Sequence, residues 1–393
     1  MAAAAGPAIL GWLRDREEGM TDLLASLVLA ESPSLVPGSE STALELIARE
    51  LEDAGFHTRR LPGEGTGGHL LARPRVRRSR GAHQLIVGHV DTVWPIGTVR
   101  SMPTGRADGH FCGPGSYDMK GGLVQLVFAL AALHDLGLMP SIDPVVLVNS
   151  DEEVGSVHSS RYIRLLARGA ARAFVLEPPA APSGSLKTSR KGVERFEVVV
   201  RGRAAHAGTS PEEGVSAILE LAHQVEQLFA LSDPVHGVTV NVGTIDGGLR
   251  ANVIAPEATA LVDVRAPTEE RAETVARAIR SLQPSRPGTS ITVRVDSRRP
   301  PMPPTERNRA LFRRAQRLAR VLDLQIDEAP LVGGASDANL TSELTATLDG
   351  LGAVGDGAHA PDEQVVVAAL PERAALLALL LLEDTPSKEE ALS

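Results

Sequence analysis

The sequence predicts an α/β protein with a mostly parallel sheet and helices on both faces, interrupted by a smaller α+β domain of ferredoxin-like kind. Three observations carry this reading. Short apolar runs (QLIVGHV, PVVLVN, AFVL) alternate with segments of helical period, the mark of parallel strands buried on both faces. Past residue 183 the strands alternate instead and follow a βαββαβ order, that of one helix-covered antiparallel sheet. Beyond Pro300-Pro301-Met302-Pro303-Pro304 the first pattern resumes. The expected layout is a first domain formed by residues 1–182 and 300–393, with residues 183–299 inserted into it.

Each element has its own signal. Leu10, Leu13, Leu23, Leu24, Leu27 and Val28 recur at helical spacing, so residues 7–30 read as one or two amphipathic helices. Ser41 to Ala54 reads as another, stopped by Gly55. Strands are expected at 84–90, 144–149 and 173–176, with helices at 120–136 and 161–168 between them. Ala180 to Gly184 reads as a linker. In the insert, strands are expected at 195–200, 238–245, 258–264 and 290–295, and helices at 217–229 and 269–282. Helices at 306–321 and 337–344 and a strand at 346–351 follow. Ala374 to Leu382 is too short to span a bilayer and reads as a buried closing helix.

Composition bounds the function. A chain of 393 residues exceeds what one compact core usually holds. Hydrophobic residues at 43% and charged residues at 23% exclude a disordered or collagen-like chain. Forty basic against forty-nine acidic residues give a net charge of -9, which argues against broad nucleic-acid binding. The five arginines between Arg73 and Arg80 therefore read as a solvated loop. Gly63 to Gly68 fits the GxGxxG spacing but neither follows a clear strand nor opens a helix, so it reads as a turn. A single cysteine, Cys112, excludes an internal disulfide framework and a cysteine zinc cluster. Neither a signal peptide nor a membrane span is legible, and a cytoplasmic location is expected.

Five acidic or histidine positions stand where strands end or helices begin, the place where α/β sheets bind ligands. His89 and Asp91, two apart on a strand, point the same way; the pair suits a metal ligand and its orienting carboxylate, or a plain structural contact. Asp118 lies in a glycine-rich turn before a helix, as a bridging ligand or an N-cap. Glu152 and Glu153 follow PVVLVN, one able to face a metal and the other a water, or both solvated. Glu177 closes AFVLE, and His359 lies in a late loop. Each has an ordinary structural reading in isolation. Together they supply two nitrogens, three ligating carboxylates and a spare one, a mixture that suits zinc, with cobalt or manganese compatible. No HExxH and no GxSxG is present.

The ordered series HVD, GPGSYDMKGG, NSDEEVGS, LEP, RAAHAG and GAHAPDE resembles the family of di-zinc metallopeptidases that holds glutamate carboxypeptidase, aminoacylase and succinyl-diaminopimelate desuccinylase, with the carboxypeptidase G branch nearest. The resemblance runs from about residue 85 to residue 367. It implies a zinc aminopeptidase-like catalytic domain and a lid that commonly dimerises. On that resemblance two zinc ions are expected per subunit, one held by His89 and Glu177, the other by Glu153 and His359, with Asp118 bridging them. Asp91 would orient His89, and Glu152 would be the general base. His206 would reach the partner subunit's site to stabilise the oxyanion, while Asn252, Arg265, Gly333 and Gly334 would meet the substrate. Tyr117 stands where many relatives carry a small residue and could alter the pocket, and Cys112 reads as a small buried residue near the same turn.

The expected chemistry is metal-assisted hydrolysis of an amide beside a free carboxylate, most simply by a carboxypeptidase releasing a residue such as glutamate. An N-acyl amino acid deacylase or desuccinylase uses the same machinery. A non-catalytic binding protein on the same fold has no need of Glu152. The expected partners are a small peptide or N-acyl amino acid and a second copy of the chain, with neither nucleic acid nor membrane.

Overall fold

A computed structural model describes residues 2–34, 36–77 and 81–384. They divide into two compact units, residues 1–189 with 304–332 and 336–393, and residues 190–303 with 333–335. The boundaries thus fall a few residues beyond the 182/183 and 299/300 positions read from the sequence. Residues 185–187 account for the first shift, since Ser185, Leu186 and Lys187 make β-bridges to Ala180, Glu328 and Asp349 of the first unit.

The first unit opens with helices α1 (Ala2–Arg14), α2 (Glu17–Leu29) and α3 (Ser41–Asp53). Strands β1 (Phe56–Leu61), β2 (His69–Pro74), β3 (His83–His89), β4 (Gly105–Ala107) and β5 (His110–Cys112) follow. Next come α4 (Gly121–Asp135), β6 (Asp143–Asn149), α5 (Ser160–Arg168) and β7 (Ala170–Val175). The second unit holds β8 (Gly192–Arg201), α6 (Ala217–Phe229), β9 (Thr239–Gly247), β10 (Glu257–Ala266), α7 (Glu269–Arg280) and β11 (Ser290–Arg299). The chain then returns to the first unit with α8 (Glu306–Val321), α9 (Asp337–Ser342), β12 (Thr347–Leu348), β13 (Gly355–Asp356), β14 (Gln364–Val366) and α10 (Ala369–Leu382).

The main sheet has the order β1-β2-β6-β3-β7-β12. Its centre is parallel, where β3 pairs with β6 and β7, and β7 with β12. Strands β1 and β2 form an antiparallel hairpin at one edge, which the sequence reading did not contain. Arg59 and Arg60 on β1 are exposed, so this edge strand lacks the apolar run that marks its neighbours. Gly63 to Gly68 forms the turn of that hairpin. Gly68 has φ +80°, and a Cβ there would stand 2.7 Å from the Leu61 carbonyl oxygen. Arg73 lies in β2 rather than in a loop, while Arg78 and Arg80 lie outside the described residues.

Strands β3 and β6 are buried along nearly their whole length. Helix α4 is apolar almost throughout and packs close to the exit of β7: a Cβ on Gly122 would lie 2.4 Å from the Leu176 carbonyl oxygen. Helix α10 is buried and begins five residues earlier than its apolar run suggested. A small antiparallel sheet, β13-β14-β5-β4, was not legible, because strands of two or three residues carry no period. Among the described residues no helix is long and apolar enough to cross a membrane.

The second unit is one four-stranded antiparallel sheet in the order β11-β8-β10-β9. Its βαββαβ run matches the expectation. Alternate residues of β8 and β10, among them Phe196, Val198, Val262 and Val264, form a core with Leu221 and Leu228 of α6 and Ile279 of α7.

Candidate metal centre

The three central parallel strands deliver their chain ends to one place. His89 is the last residue of β3, Glu152 and Glu153 follow β6, and Glu177 follows β7. Asp118 sits in the irregular turn Ser116–Lys120 ahead of α4, where the Asp118–Met119 peptide is cis. His359 lies between β13 and β14 with φ 61°.

These side chains converge. His89 Nε2 is 3.3 Å from Asp118 Oδ1 and 3.6 Å from Glu177 Oε1. His359 Nε2 is 3.5 Å from Asp118 Oδ2 and 3.2 Å from Glu153 Oε1. Asp118 therefore turns one oxygen toward each histidine. His89, Glu152 and Glu177 bring ligand atoms within 4.8 Å of one another, and so do His89, Asp118 and Glu153. His89 Nε2 and Asp118 Oδ1 are both buried without a hydrogen-bond partner among the described residues. Buried polar atoms without partners are costly, and an imidazole nitrogen and carboxylate oxygens suit a divalent cation of the zinc type. The residues present fit such an ion.

The ring of His89 is fixed from behind. Its Nδ1 is 2.9 Å from the Asp91 backbone carbonyl and 3.5 Å from the Asp91 carboxylate. A carbonyl only accepts, so Nδ1 carries a proton and Nε2 faces the carboxylates. The nearer contact is thus to the Asp91 main chain, with the side chain that the sequence suggested standing 3.5 Å away. The Asp91 carboxylate has further work: it accepts from Ser34 Oγ at 2.7 Å, from Glu152 N at 3.2 Å and from Glu153 N at 3.1 Å. It thereby holds the turn that bears both glutamates.

Charge is strongly coupled here. Burial would lower the pKa of His89, but Asp118 and Asp91 outweigh it and raise it well above the ordinary value. Burial would raise Asp118, yet His359 and His89 hold it below the usual carboxylate range. Burial pushes Glu153 up to about 7 against the pull of His359. Contacts with Asp118 and Glu153 push His359 up to about 10. These shifts are those of carboxylates and histidines that share protons when no cation balances the charge.

Two residues have supporting roles that sequence reasoning missed: Glu363, and Asp337, which reads in the sequence as part of a substrate-side loop from Gly333. Glu363 is fully buried; its Oε1 accepts from the N–H groups of Tyr117 and Asp118, and its Oε2 from Gly115 N and Trp94 Nε1, all at 2.9 to 3.0 Å. Burial raises its pKa against those donors. The signal was its place in GAHAPDE, four residues after His359. Asp337 accepts from Asn149 Nδ2 and Ser156 Oγ, bracketing the Asp151–Glu153 turn. Two other readings change. Tyr117 is buried, and its hydroxyl is bonded to the Pro179 carbonyl at 3.0 Å. Cys112 in β5 is half-buried rather than buried.

The other predicted residues all belong to the second unit. His206 Nδ1 accepts from the N–H groups of Gly208 and Thr209, at 3.1 and 3.2 Å. Asn252 is its neighbour, through Ala207 N bonded to Asn252 O at 3.0 Å. Arg265 binds Asp263 and the Gly333 carbonyl, and Arg190 binds the Gly334 carbonyl.

Residues 85–383, well over half of the chain, match the peptidase family M20/M25/M40. The chain belongs to that family. Its M20/M25/M40 relatives include carboxypeptidase G2 of Pseudomonas sp. (strain RS-16), 26% identical over 375 residues, which span 94% of this chain and 90% of the relative. Succinyl-diaminopimelate desuccinylase of Methylorubrum extorquens (strain PA1) is 28% identical over 390 residues, covering 91% and 97%. Among solved structures, aminopeptidase PepT from Bacillus cereus superposes with a TM-score of 0.74 at 20% identity, covering 93% of this chain and 98% of that one. As an M20/M25/M40 member the chain is an enzyme, a metal-dependent hydrolase, and the binding-protein alternative falls away.

Proposed function

We propose that this enzyme hydrolyses an amide bond next to a free carboxylate, as a di-zinc carboxypeptidase releasing a C-terminal amino acid such as glutamate. The observation that carries this is Asp118 facing His89 with one oxygen and His359 with the other. On this reading His89 and Glu177 hold one ion, Glu153 and His359 the other, and Asp118 both. Two bound divalent ions supply Lewis acidity toward the carbonyl and toward water. Glu152, beside His89 and Glu177, takes the proton of the attacking water and returns it to the leaving amine. His206 accepts two N–H bonds at Nδ1, so its neutral ring carries the proton on Nε2 and can donate there to an oxyanion. Arg265 and Asn252, with the Gly333–Gly334 loop, receive the substrate carboxylate.

The desuccinylase relative supports a second reading, an N-acyl amino acid deacylase or desuccinylase with the same centre. We further propose a homodimer through the second unit. Strand β9 is an edge, and Ile218, Ile245 and Leu249 are exposed on that unit. A cytoplasmic location is proposed on the single cysteine.

The deciding experiment is amine release from zinc-loaded protein against N-acyl amino acids and peptides ending in glutamate, with Glu152→Ala as control. Turnover of the glutamate set, lost in the control, supports the carboxypeptidase. Turnover confined to simple acyl amino acids moves the enzyme to the deacylase reading. Silence on both sets with metal bound overturns both.

A further inference from the structure

Three consecutive carbonyls behind Glu177 are each held by a separate donor. The Glu177 carbonyl accepts from Gly352 N at 2.9 Å, the Pro178 carbonyl from Lys187 Nζ at 2.7 Å, and the Pro179 carbonyl from Tyr117 Oη at 3.0 Å. Pro178 and Pro179 have no N–H, so this segment is anchored through its carbonyls. All three residues are buried, as are Lys187 and Tyr117.

The three donors are not equivalent. Gly352 is a main-chain donor, and Lys187 stands ten residues past Glu177 rather than beside a proposed ligand. Tyr117 immediately precedes Asp118, and its hydroxyl reaches two residues past Glu177. It is thus a strut between two carboxylates that both face His89 Nε2, at 3.3 and 3.6 Å. The main chain of the same turn is gripped by Glu363, so the strut has a fixed base.

We propose that Tyr117 is a positioning residue: its hydroxyl sets the separation of Asp118 and Glu177, and so the affinity of the ion site that these share with His89. This rests on the metal assignment of the preceding section. It gives Tyr117 a role other than lining the substrate pocket, since the ring is buried and its hydroxyl is bonded to the Pro179 carbonyl.

The test is Tyr117→Phe, which keeps the ring and deletes only the donor. Metal-free parent and variant are titrated with Co2+, following the ligand-field absorption and the stoichiometry, and steady-state kinetics are then measured. The expected result is two ions in both proteins, with one of them bound about 10- to 100-fold more weakly in the variant. The absorption of that ion should be altered, and kcat should fall with KM within about twofold of the parent. Lys187→Gln, which removes the adjacent donor, should leave the Co2+ spectrum closer to the parent than Tyr117→Phe does. Unchanged affinities and spectrum in Tyr117→Phe, with or without a lower Tm, would overturn the proposal. A parent that binds no Co2+ would instead overturn the metal assignment itself.

Discussion

Glu363 holds the main-chain N–H of Asp118 at 3.0 Å from a position four residues after His359. One buried carboxylate thereby ties the loop of one proposed ligand to the turn of another. Its two oxygens serve four N–H donors, so an amide in its place must turn an NH2 group toward two of them. Glu363→Gln is expected to cost about 1–3 kcal/mol of stability and to weaken metal binding about 10- to 100-fold. Denaturant unfolding and zinc titration check this. A variant with parental values in both would show the clamp to be dispensable.

Glu152→Gln should lower turnover by at least about 100-fold while metal content stays at the parental value. Its main-chain N–H, not its side chain, bonds Asp91, so the turn persists in the variant. Metal analysis beside the kinetics decides it, and loss of an ion together with activity would make Glu152 a ligand instead.

The pH dependence has a definite sign. In the metal-free chain Glu153 titrates at about 7 instead of 4.5, and His359 at about 10 instead of 6.5. Both shifts are upward, so across this window the folded chain holds more protons than the unfolded one, and its stability falls as pH rises. Cations compete with those protons, so the gain in Tm on adding zinc should grow from pH about 6 to about 9. Calorimetric titration in buffers of different ionisation heat should show proton release. A gain that shrinks with pH would contradict the charge coupling described here.

His206→Ala should reduce kcat about 100- to 1000-fold if its Nε2–H serves an oxyanion. Mixing it with Glu152→Ala separates the two possible arrangements. If His206 acts in the partner's site, mixed dimers regain activity, because one site then receives both intact residues. No recovery in refolded mixtures would place His206 in its own subunit's site.

Gly122→Val tests the packing that sets α4 against the exit of β7. A Cβ there meets the Leu176 carbonyl oxygen at 2.4 Å, and neither main chain has room to yield. The expected loss is about 1–3 kcal/mol or more, read by thermal unfolding, and zinc affinity should fall with it because Glu177 is the next residue.

The parallel centre of the fold and the second unit were legible because burial writes itself into apolar runs and alternation, as in QLIVGHV and in Phe196 to Val200. The β1–β2 hairpin was not, since its edge strand faces water and carries arginines. Strands β13, β14, β4 and β5, of two or three residues, are too short to display an alternation. At the site, the spacing of His89, Asp118, Glu153, Glu177 and His359 at element ends pointed to their meeting place. Hydrogen bonds hid the rest. Nothing in the spacing of Glu363, Asp337 or Tyr117 says which distant N–H or carbonyl they reach. The proton on His89 Nδ1 goes to a carbonyl, which no side-chain motif records.

The second unit interrupts the first, so His359 and Glu363 are synthesised after everything in that insert. A chain emerging in order from the ribosome can build β3, β6 and β7 long before it holds the histidine that faces Glu153. The earlier carboxylates then face one another without it, and a fragment ending within the insert carries His89, Asp118, Glu153 and Glu177 but neither His359 nor the Glu363 clamp. The segment after the insert therefore supplies both the last strand of the main sheet and the last of the proposed ligands.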